Sequence, residues 1–544
     1  MTRSIRLRPW QKTALDRFIA SSTPDFLAVA TPGAGKTTFA LTAARHRLAE
    51  RPGRLVVVAP TAHLKQQWAH AAARFALHLD PSWAASDGSL APDMHGLVTT
   101  YQQVATSAAA LRGPAHGAFV IFDELHHAAD DRAWGDAIRH AFEGADRRLA
   151  LSGTPFRSDT RSIPFVDYHL DEARPDFEYG YGDALADRRV VRPVYFPRTS
   201  GQMEWSAPDG TEQGASFDDD LDAARSSQRL RTALSLEGEW LPTVLRAANE
   251  RLVEVRREQP DAGGLVIATD QEHARGIGEL LRSRFGTRAA VVTSDDPRAS
   301  MHIAAFAAGR QPWLVAVRMV SEGVDIPRLR VGVYATTTST ELFFRQAVGR
   351  LVRWTRGVPR QKSWLFIPDD PRLRRLAAGI AEQRRHSLAR RERPTERNGL
   401  DDPGALDPAG VEEEQLSLFA VISAVATEGE GPADAEDVGT DDDDGDGPGF
   451  DLELAPPPPL AGVVPGRGLN DPLDAGLTRG DDKKRLRDLN AELARDLVRS
   501  TGWSHAQVNR ELNRIAGVSR VTEATVSQLR LRLEKGTRWL SRST

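Results

Sequence analysis

The run Thr31-Pro32-Gly33-Ala34-Gly35-Lys36-Thr37-Thr38 sets two closely spaced glycines before a lysine and two hydroxyls. Glycines at this spacing allow a tight turn whose backbone N–H groups face a phosphate, and a helix opening there adds the positive end of its dipole. Lys36 would reach the outer phosphates, and the Thr37 hydroxyl would ligate Mg²⁺. Against the pattern GxxxxGK[ST], the first glycine position holds Ala30, one departure. A second cluster, Asp123-Glu124, ends the apolar run 119–122. Asp123 suits the Mg²⁺ shell, and Glu124 suits a general base that polarises an attacking water. A third, Gln346-Ala347-Val348-Gly349-Arg350-Leu351-Val352-Arg353, carries two arginines suited to a developing phosphate charge. Together these groups describe hydrolysis of a nucleoside triphosphate. His126 and His127 could suggest zinc, but adjacent side chains diverge and no third ligand is evident, so zinc is rejected.

Such groups need rigid elements behind them. Apolar runs at 26–30, 55–59, 96–100, 119–123 and 148–152 read as buried strands separated by amphipathic helices. That alternation predicts a parallel sheet with helices on both faces, whose ligands lie beyond the carboxyl ends of the strands. After a less regular stretch the rhythm resumes with runs at 265–269, 289–293, 313–317, 331–335 and 363–367. The expected class is therefore α/β, with two tandem RecA-like parallel-sheet domains. Expected boundaries are a first domain at 1–190, an interdomain segment at 191–260, a second domain at 261–370 and a basic helical extension at 371–400. An acidic, Pro-rich disordered linker at 401–480 and a basic three-helix domain at 481–544 would complete the chain. In that last domain Leu486, Leu489, Leu493 and Leu497 mark one helix face, and Ser504 and Thr522 are the expected caps of the next two helices. Nucleic-acid binding and protein interaction fit those helices equally well. An apolar patch at 416–425 inside the linker reads as incidental more readily than as a docking helix.

Composition narrows the class. The 544-residue chain has no cysteine, which excludes disulfides, thiolate zinc and iron–sulfur clusters. No apolar run is long enough to span a membrane, and the first residues lack the apolar core of a leader, so a soluble cytoplasmic protein is expected. The net charge of −4 conceals an asymmetry. Residues 401–466 hold 18 Asp and Glu and no Lys or Arg, which leaves 57 acidic against 71 basic residues, or +14, for the rest. A polyanionic partner fits that balance. So does arginine-rich codon usage, since only 7 of the 71 basic residues are lysine.

In order and spacing these segments resemble the superfamily 2 helicases of DExH type, across roughly residues 5–368. Leu7-Arg8-Pro9-Trp10-Gln11 resembles the adenine-reading Q-motif, and Thr31 to Thr38 the family's motif I, which accounts for Ala30. Val58-Ala59-Pro60-Thr61 and Thr99-Thr100-Tyr101-Gln102 resemble motifs Ia and Ib. Asp123-Glu124-Leu125-His126 resembles motif II, and Ser152-Gly153-Thr154-Pro155 motif III. The run from Val320 to Pro327 resembles motif V, and Gln346 to Arg353 motif VI. The flavour is that of XPB-like and UvsW-like DNA helicases and restriction-enzyme motor subunits, without a legible nuclease signature.

The resemblance implies roles for each matched position. ATP and Mg²⁺ are the implied cofactors, with Gln11, the loop Thr31 to Thr38, Gly323 and Asp325 around the nucleotide. Thr37 and Asp123 would hold the metal, Glu124 the water, and Gln346, Arg350 and Arg353 the γ-phosphate. Ser152 and Thr154 would couple nucleotide state to grip, and Thr61, Thr100 and Thr269 would touch a nucleic-acid backbone. The implied activity is ATP-driven translocation and unwinding of nucleic acid, DNA before RNA, with residues 401–544 open to a protein partner. A double-stranded DNA translocase and an ATP-switched nucleic-acid binder remain as alternatives.

Overall fold

The computed structural model describes residues 4–125, 132–153, 163–169, 172–187, 189–206, 212–293, 295–296, 298–317, 326–392, 449–454, 456, 459–460 and 478–543. The chain divides into two compact units. The first takes residues 1–180 together with 448–544, and the second takes 181–447.

The first unit opens with β1 (Ser4–Leu7) and α1 (Pro9–Ala20). There follow β2 (Asp25–Ala30), α2 (Lys36–Glu50), β3 (Leu55–Ala59), α3 (Ala62–Arg74) and β4 (Leu79–Asp80). Next come β5 (Gly96–Thr100), α4 (Tyr101–Ala115), β6 (Phe119–Phe122), α5 (Arg132–Phe142) and β7 (Arg147–Ser152). The strand Phe177–Tyr179, β2, β7, β6, β3, β5 and β4 lie side by side in that order, all parallel. Every residue of β3 and β6 is buried, as unbroken Val, Leu, Ile and Phe runs require when helices cover both faces. Because β2, β7 and β6 are neighbours, the turns after them share one end of the sheet. Those turns carry the glycine loop, Gly153 and the Asp123-Glu124 pair.

The second unit repeats the scheme. The strands Val194–Tyr195, Ser363–Pro368, Leu329–Ala335, Gly263–Ala268, Trp313–Val317 and Ala289–Val292 form its parallel sheet in that order, and Arg198–Thr199 also pairs with Ser363–Pro368. Its core joins Val266, Ala268, Val315, Val331 and Val333 to Leu241, Leu245 and Leu252 of the helix Trp240–Glu258. The two-domain α/β class holds, and the expected strands fall within two residues of the observed ones. The helix Pro371–Glu392 follows the second sheet. The apolar patch at 416–425 lies outside the described residues.

From residue 449 the chain belongs to the first unit again. The strand Phe450–Glu453, inside the span expected as linker, pairs antiparallel with β1. Three helices follow at Arg479–Thr501, His505–Ala516 and Val526–Ser543, with Leu486, Leu493 and Leu497 buried between them. Ser504 caps the second, accepting from the Gln507 N–H. Thr522 does not cap the third: its hydroxyl donates to the Asp87 carbonyl at 3.1 Å, and the helix starts four residues later, where Thr525 accepts from the Gln528 N–H.

The β3–β5 ladder gives a direct test of the register. Gly96 stands opposite Leu55, and a Cβ there would lie 1.7 Å from the Leu55 carbonyl oxygen. Gly96→Ala should lower stability by about 3 kcal/mol through forced backbone separation. An unchanged urea midpoint by circular dichroism would contradict this register.

Candidate functional site

The glycine loop owes its shape to its own backbone and to α1. Gly33 and Gly35 have φ of +83° and +96°, where a side chain is strained, and a Cβ on Gly35 would come within 2.7 Å of Gln11 Nε2. The loop's carbonyls are fastened to the N-terminal end of α1. Arg8 Nη1 donates to the Ala34 carbonyl at 2.9 Å, Trp10 Nε1 donates to the same oxygen at 3.1 Å, and Gln11 Nε2 donates to the Gly35 carbonyl at 2.9 Å. Gln11 Oε1 in turn accepts the Arg8 N–H at 2.8 Å, so both ends of its buried carboxamide are engaged. Trp10 stacks on Tyr179 at 5.1 Å, which anchors α1 to the sheet edge. With carbonyls held on that side, the loop and the first turn of α2 present the N–H groups a helix leaves unpaired at its start. Thr31 is buried, and Pro32, Thr37 and Thr38 are half-buried.

Three motifs meet at Glu124. Lys36 Nζ donates to Glu124 Oε1 at 2.7 Å, and the Gly153 N–H donates to Glu124 Oε2 at 2.9 Å. Glu124 itself has φ of +49°, an uncommon backbone state that turns its carboxylate back across the strand ends. A Cβ on Gly153 would lie 3.1 Å from Lys36 Nζ and 3.3 Å from Pro32 Cγ, so any side chain there would press on both. β6 ends at Phe122, so Asp123 and Glu124 occupy the turn beyond it.

Asp123 is positioned by two residues to which the sequence reading gave no role. Buried Trp68, on α3, donates its indole N–H to Asp123 Oδ2 at 2.8 Å. Tyr101, the first residue of α4, donates its hydroxyl to the Asp123 carbonyl at 2.9 Å. Burial first, then the Asp123 and Glu124 charges, push the Tyr101 hydroxyl well above its ordinary pKa, which keeps it a neutral donor. An indole in an otherwise Ala- and Gln-rich helix was the signal available for Trp68.

The structure describes some of the remaining expected residues and not others. Ser152 is fully buried at the end of β7. Thr61 and Thr100 are the N-caps of α3 and α4; Thr100 accepts from the Gln103 N–H, while Thr61 makes no capping bond. Thr269, in the second unit, donates to the Ala335 carbonyl at 3.3 Å. Thr154, Gly323, Asp325, His126 and His127 lie outside the described residues. Among the described residues no group of carboxylates and histidines could hold a metal by itself.

In the second unit Gln346 and Arg350 sit four apart on the helix Glu341–Leu351 and share a face. Arg353 stands beyond the cap of that helix at Val352, in an isolated bridge to Val191. Arg192, which no sequence pattern marked, holds that segment. It is fully buried, and its guanidinium donates to the carbonyls of Pro327 at 2.6 Å, Leu329 at 3.4 Å and Arg353. Burial, with a smaller contribution from Arg330, lowers its pKa to about 9, which leaves it charged at neutral pH.

Two family models match this chain. Residues 4–157 match the family described as "Type III restriction enzyme, res subunit", and residues 247–355 match "Helicase conserved C-terminal domain". The uncharacterised protein Rv2917 of Mycobacterium tuberculosis is 49% identical over 409 residues, 73% of this chain and 67% of that protein. A Halobacterium salinarum protein provisionally named DNA 3'-5' helicase Rad25 is 26% identical over 402 residues, 71% of this chain and 56% of that one. A solved fragment assigned as an HsdR subunit of a type I restriction enzyme from Vibrio vulnificus has a TM-score of 0.48 and 18% identity, covering 68% of this chain and 65% of that one.

Arg192 supplies a test of the second unit. Arg192→Lys keeps the charge but cannot serve these carbonyls at once, and should cost about 3 kcal/mol. A thermal midpoint equal to the parent's would show that the carbonyls find other donors.

Proposed function

We propose, from the premise that this chain belongs to the superfamily 2 helicases, that it is an ATP-driven motor that translocates along DNA and separates its strands. The observation that carries the reading is the meeting of three motifs on one carboxylate. Lys36, Glu124 and the Gly153 N–H come from turns after three neighbouring strands and lie within 2.9 Å of each other's polar atoms along the chain of contacts. A phosphate-binding lysine and a water-polarising carboxylate must converge on one small volume to act on one γ-phosphate.

The roles follow from position. The loop N–H groups and Lys36 bind the phosphates, and Gln11 lies where α1 reaches the loop. Thr37 and Asp123 offer the hard oxygens that Mg²⁺ takes, and the Trp68 bond fixes the orientation of the Asp123 carboxylate. When bound, the ion would neutralise charge on the β and γ oxygens. Glu124 orients the water, and Gly153 reports its position to the end of β7. The family resemblance gives Gln346, Arg350 and Arg353 of the second unit the γ-phosphate charge to stabilise, and arginines in such a role are worth roughly 10³–10⁵ in rate. Thr61, Thr100 and Thr269 offer hydroxyls to a nucleic-acid backbone, contacts that position without reading sequence. DNA is favoured over RNA by the name of the Halobacterium relative.

Four expectations check the assignment. ATP turnover should rise when DNA is added, more than with RNA, and a fluorescent duplex should be unwound; turnover without strand displacement would replace the helicase by a translocase. Glu124→Gln should keep ATP binding and cut turnover by about 10²–10⁴, and near-parental turnover would remove Glu124 from the mechanism. Arg350→Ala should bind ATP normally yet lose DNA stimulation, in a stopped-flow comparison with and without DNA. Trp68→Phe removes a bond to a charged group, worth about 1.5–3 kcal/mol, and should shift the Mg²⁺ titration of turnover to higher concentration; an unmoved titration would make Trp68 a packing residue only.

A further inference from the structure

The far end of the chain is built into the unit that carries the glycine loop. β1 has one strand partner among the described residues, Phe450–Glu453, in the register Ser4 with Glu453 through Leu7 with Phe450. β1 leads straight into Arg8, Trp10 and Gln11, the three side chains that hold the carbonyls of Ala34 and Gly35. Leu454 and Leu460, just past the returning strand, are buried.

A second attachment lies at the other edge of the sheet, around Asp93. Asp93 and Lys483 are 2% and 1% exposed, with Lys483 Nζ 3.1 Å from Asp93 Oδ1. The other carboxylate oxygen accepts the Val526 N–H at 2.9 Å, at the start of the last helix, and has Arg479 at 3.7 Å. Arg487 approaches Asp80 at 3.6 Å and donates to the Thr522 carbonyl at 2.6 Å. A buried carboxylate satisfied by a lysine and a helix N-terminus is a specific joint, because either side alone would bury an uncompensated charge.

We propose that residues 449–543 are an internal partner of residues 4–180, joined at β1 and at Asp93, and that this docking sets the phosphate loop through β1 and α1. Part of the basic surplus of the C-terminal helices is then accounted for. Lys483 and Arg487 face Asp93 and Asp80, Arg532 is buried on Asn490, Asn509 and Asn513, and others pair with acids on their own helices. The start of the last helix, where a groove-reading helix would make its contacts, faces Asp93. The C-terminal helices are therefore part of the loop's scaffold and not a detached reader of nucleic acid. The effect on the loop rests on the nucleotide reading above; the docking itself does not.

The test uses the full chain with a protease site inserted between residues 401 and 440. After cleavage, the fragment containing 449–544 should co-elute with the remainder in size exclusion and bind a fluorescent ATP analogue with unchanged affinity. Lys483→Asp combined with Gly-Ser replacement of residues 449–454 alters neither the loop nor α1. In the cut protein it should release the fragment, and the remainder should lose ATP-analogue affinity. Separate elution of the parental fragment overturns the docking. Undiminished affinity after release overturns the link to the loop. Lys36→Ala run in parallel separates the two ideas: if it too leaves analogue binding intact, the nucleotide site is misplaced, while co-elution still decides the docking.

Discussion

The contact between Lys36 and Glu124, at 2.7 Å, is the interaction on which the arrangement turns. It joins the loop after β2 to the turn after β6 across the intervening strand β7, whose own end contributes the Gly153 N–H. Three motifs 88 and 29 residues apart in sequence can meet there only because a parallel sheet puts all its carboxyl ends on one side. The positive φ at Glu124 is the local cost of this convergence. Without that turn the carboxylate would continue along the strand and miss both donors.

A second layer holds the first. Arg8, Trp10 and Gln11 grip the loop's carbonyls, and Trp68 and Tyr101 grip Asp123 through its carboxylate and its carbonyl. Trp68 and Tyr101 belong to α3 and α4, the helices whose N-caps are Thr61 and Thr100. Anything that shifted those helix starts would be felt at Asp123 through buried hydrogen bonds with little slack. The first unit thus has a short mechanical path from the proposed nucleic-acid contacts to the proposed metal ligand.

The strands were legible because residues buried on both faces leave unbroken apolar runs, and the glycine loop because Gly33 and Gly35 do what other residues cannot. Asp123 and Glu124 were legible because two adjacent carboxylates at the end of an apolar run have few other uses. Trp68 and Arg192 were not, since each acts through an atom whose partner is distant in sequence. The fate of Gln11 was hidden for a related reason: its type was readable, but its engagement by Arg8 and Gly35 depends on how α1 meets the loop. The bridge from Arg353 to Val191 has no local signature in the sequence.

Charge was the least reliable guide, for a physical reason. A surplus of arginine suggests a polyanion when its guanidinium groups face water, but many here face backbone. Arg192, Arg328 and Arg330 are buried and donate to carbonyls at the ends of strands and loops of the second unit. Arg229 does the same for Ser216 and Asp219. A planar guanidinium with five donors can satisfy several carbonyls that no single N–H could reach, which suits it to stitching irregular backbone onto a sheet. Lysine cannot make that pattern, so the scarcity of lysine, read at first as codon bias, is also what a fold stitched by arginine requires. Net charge counted these groups as surface, although their charge is spent inside.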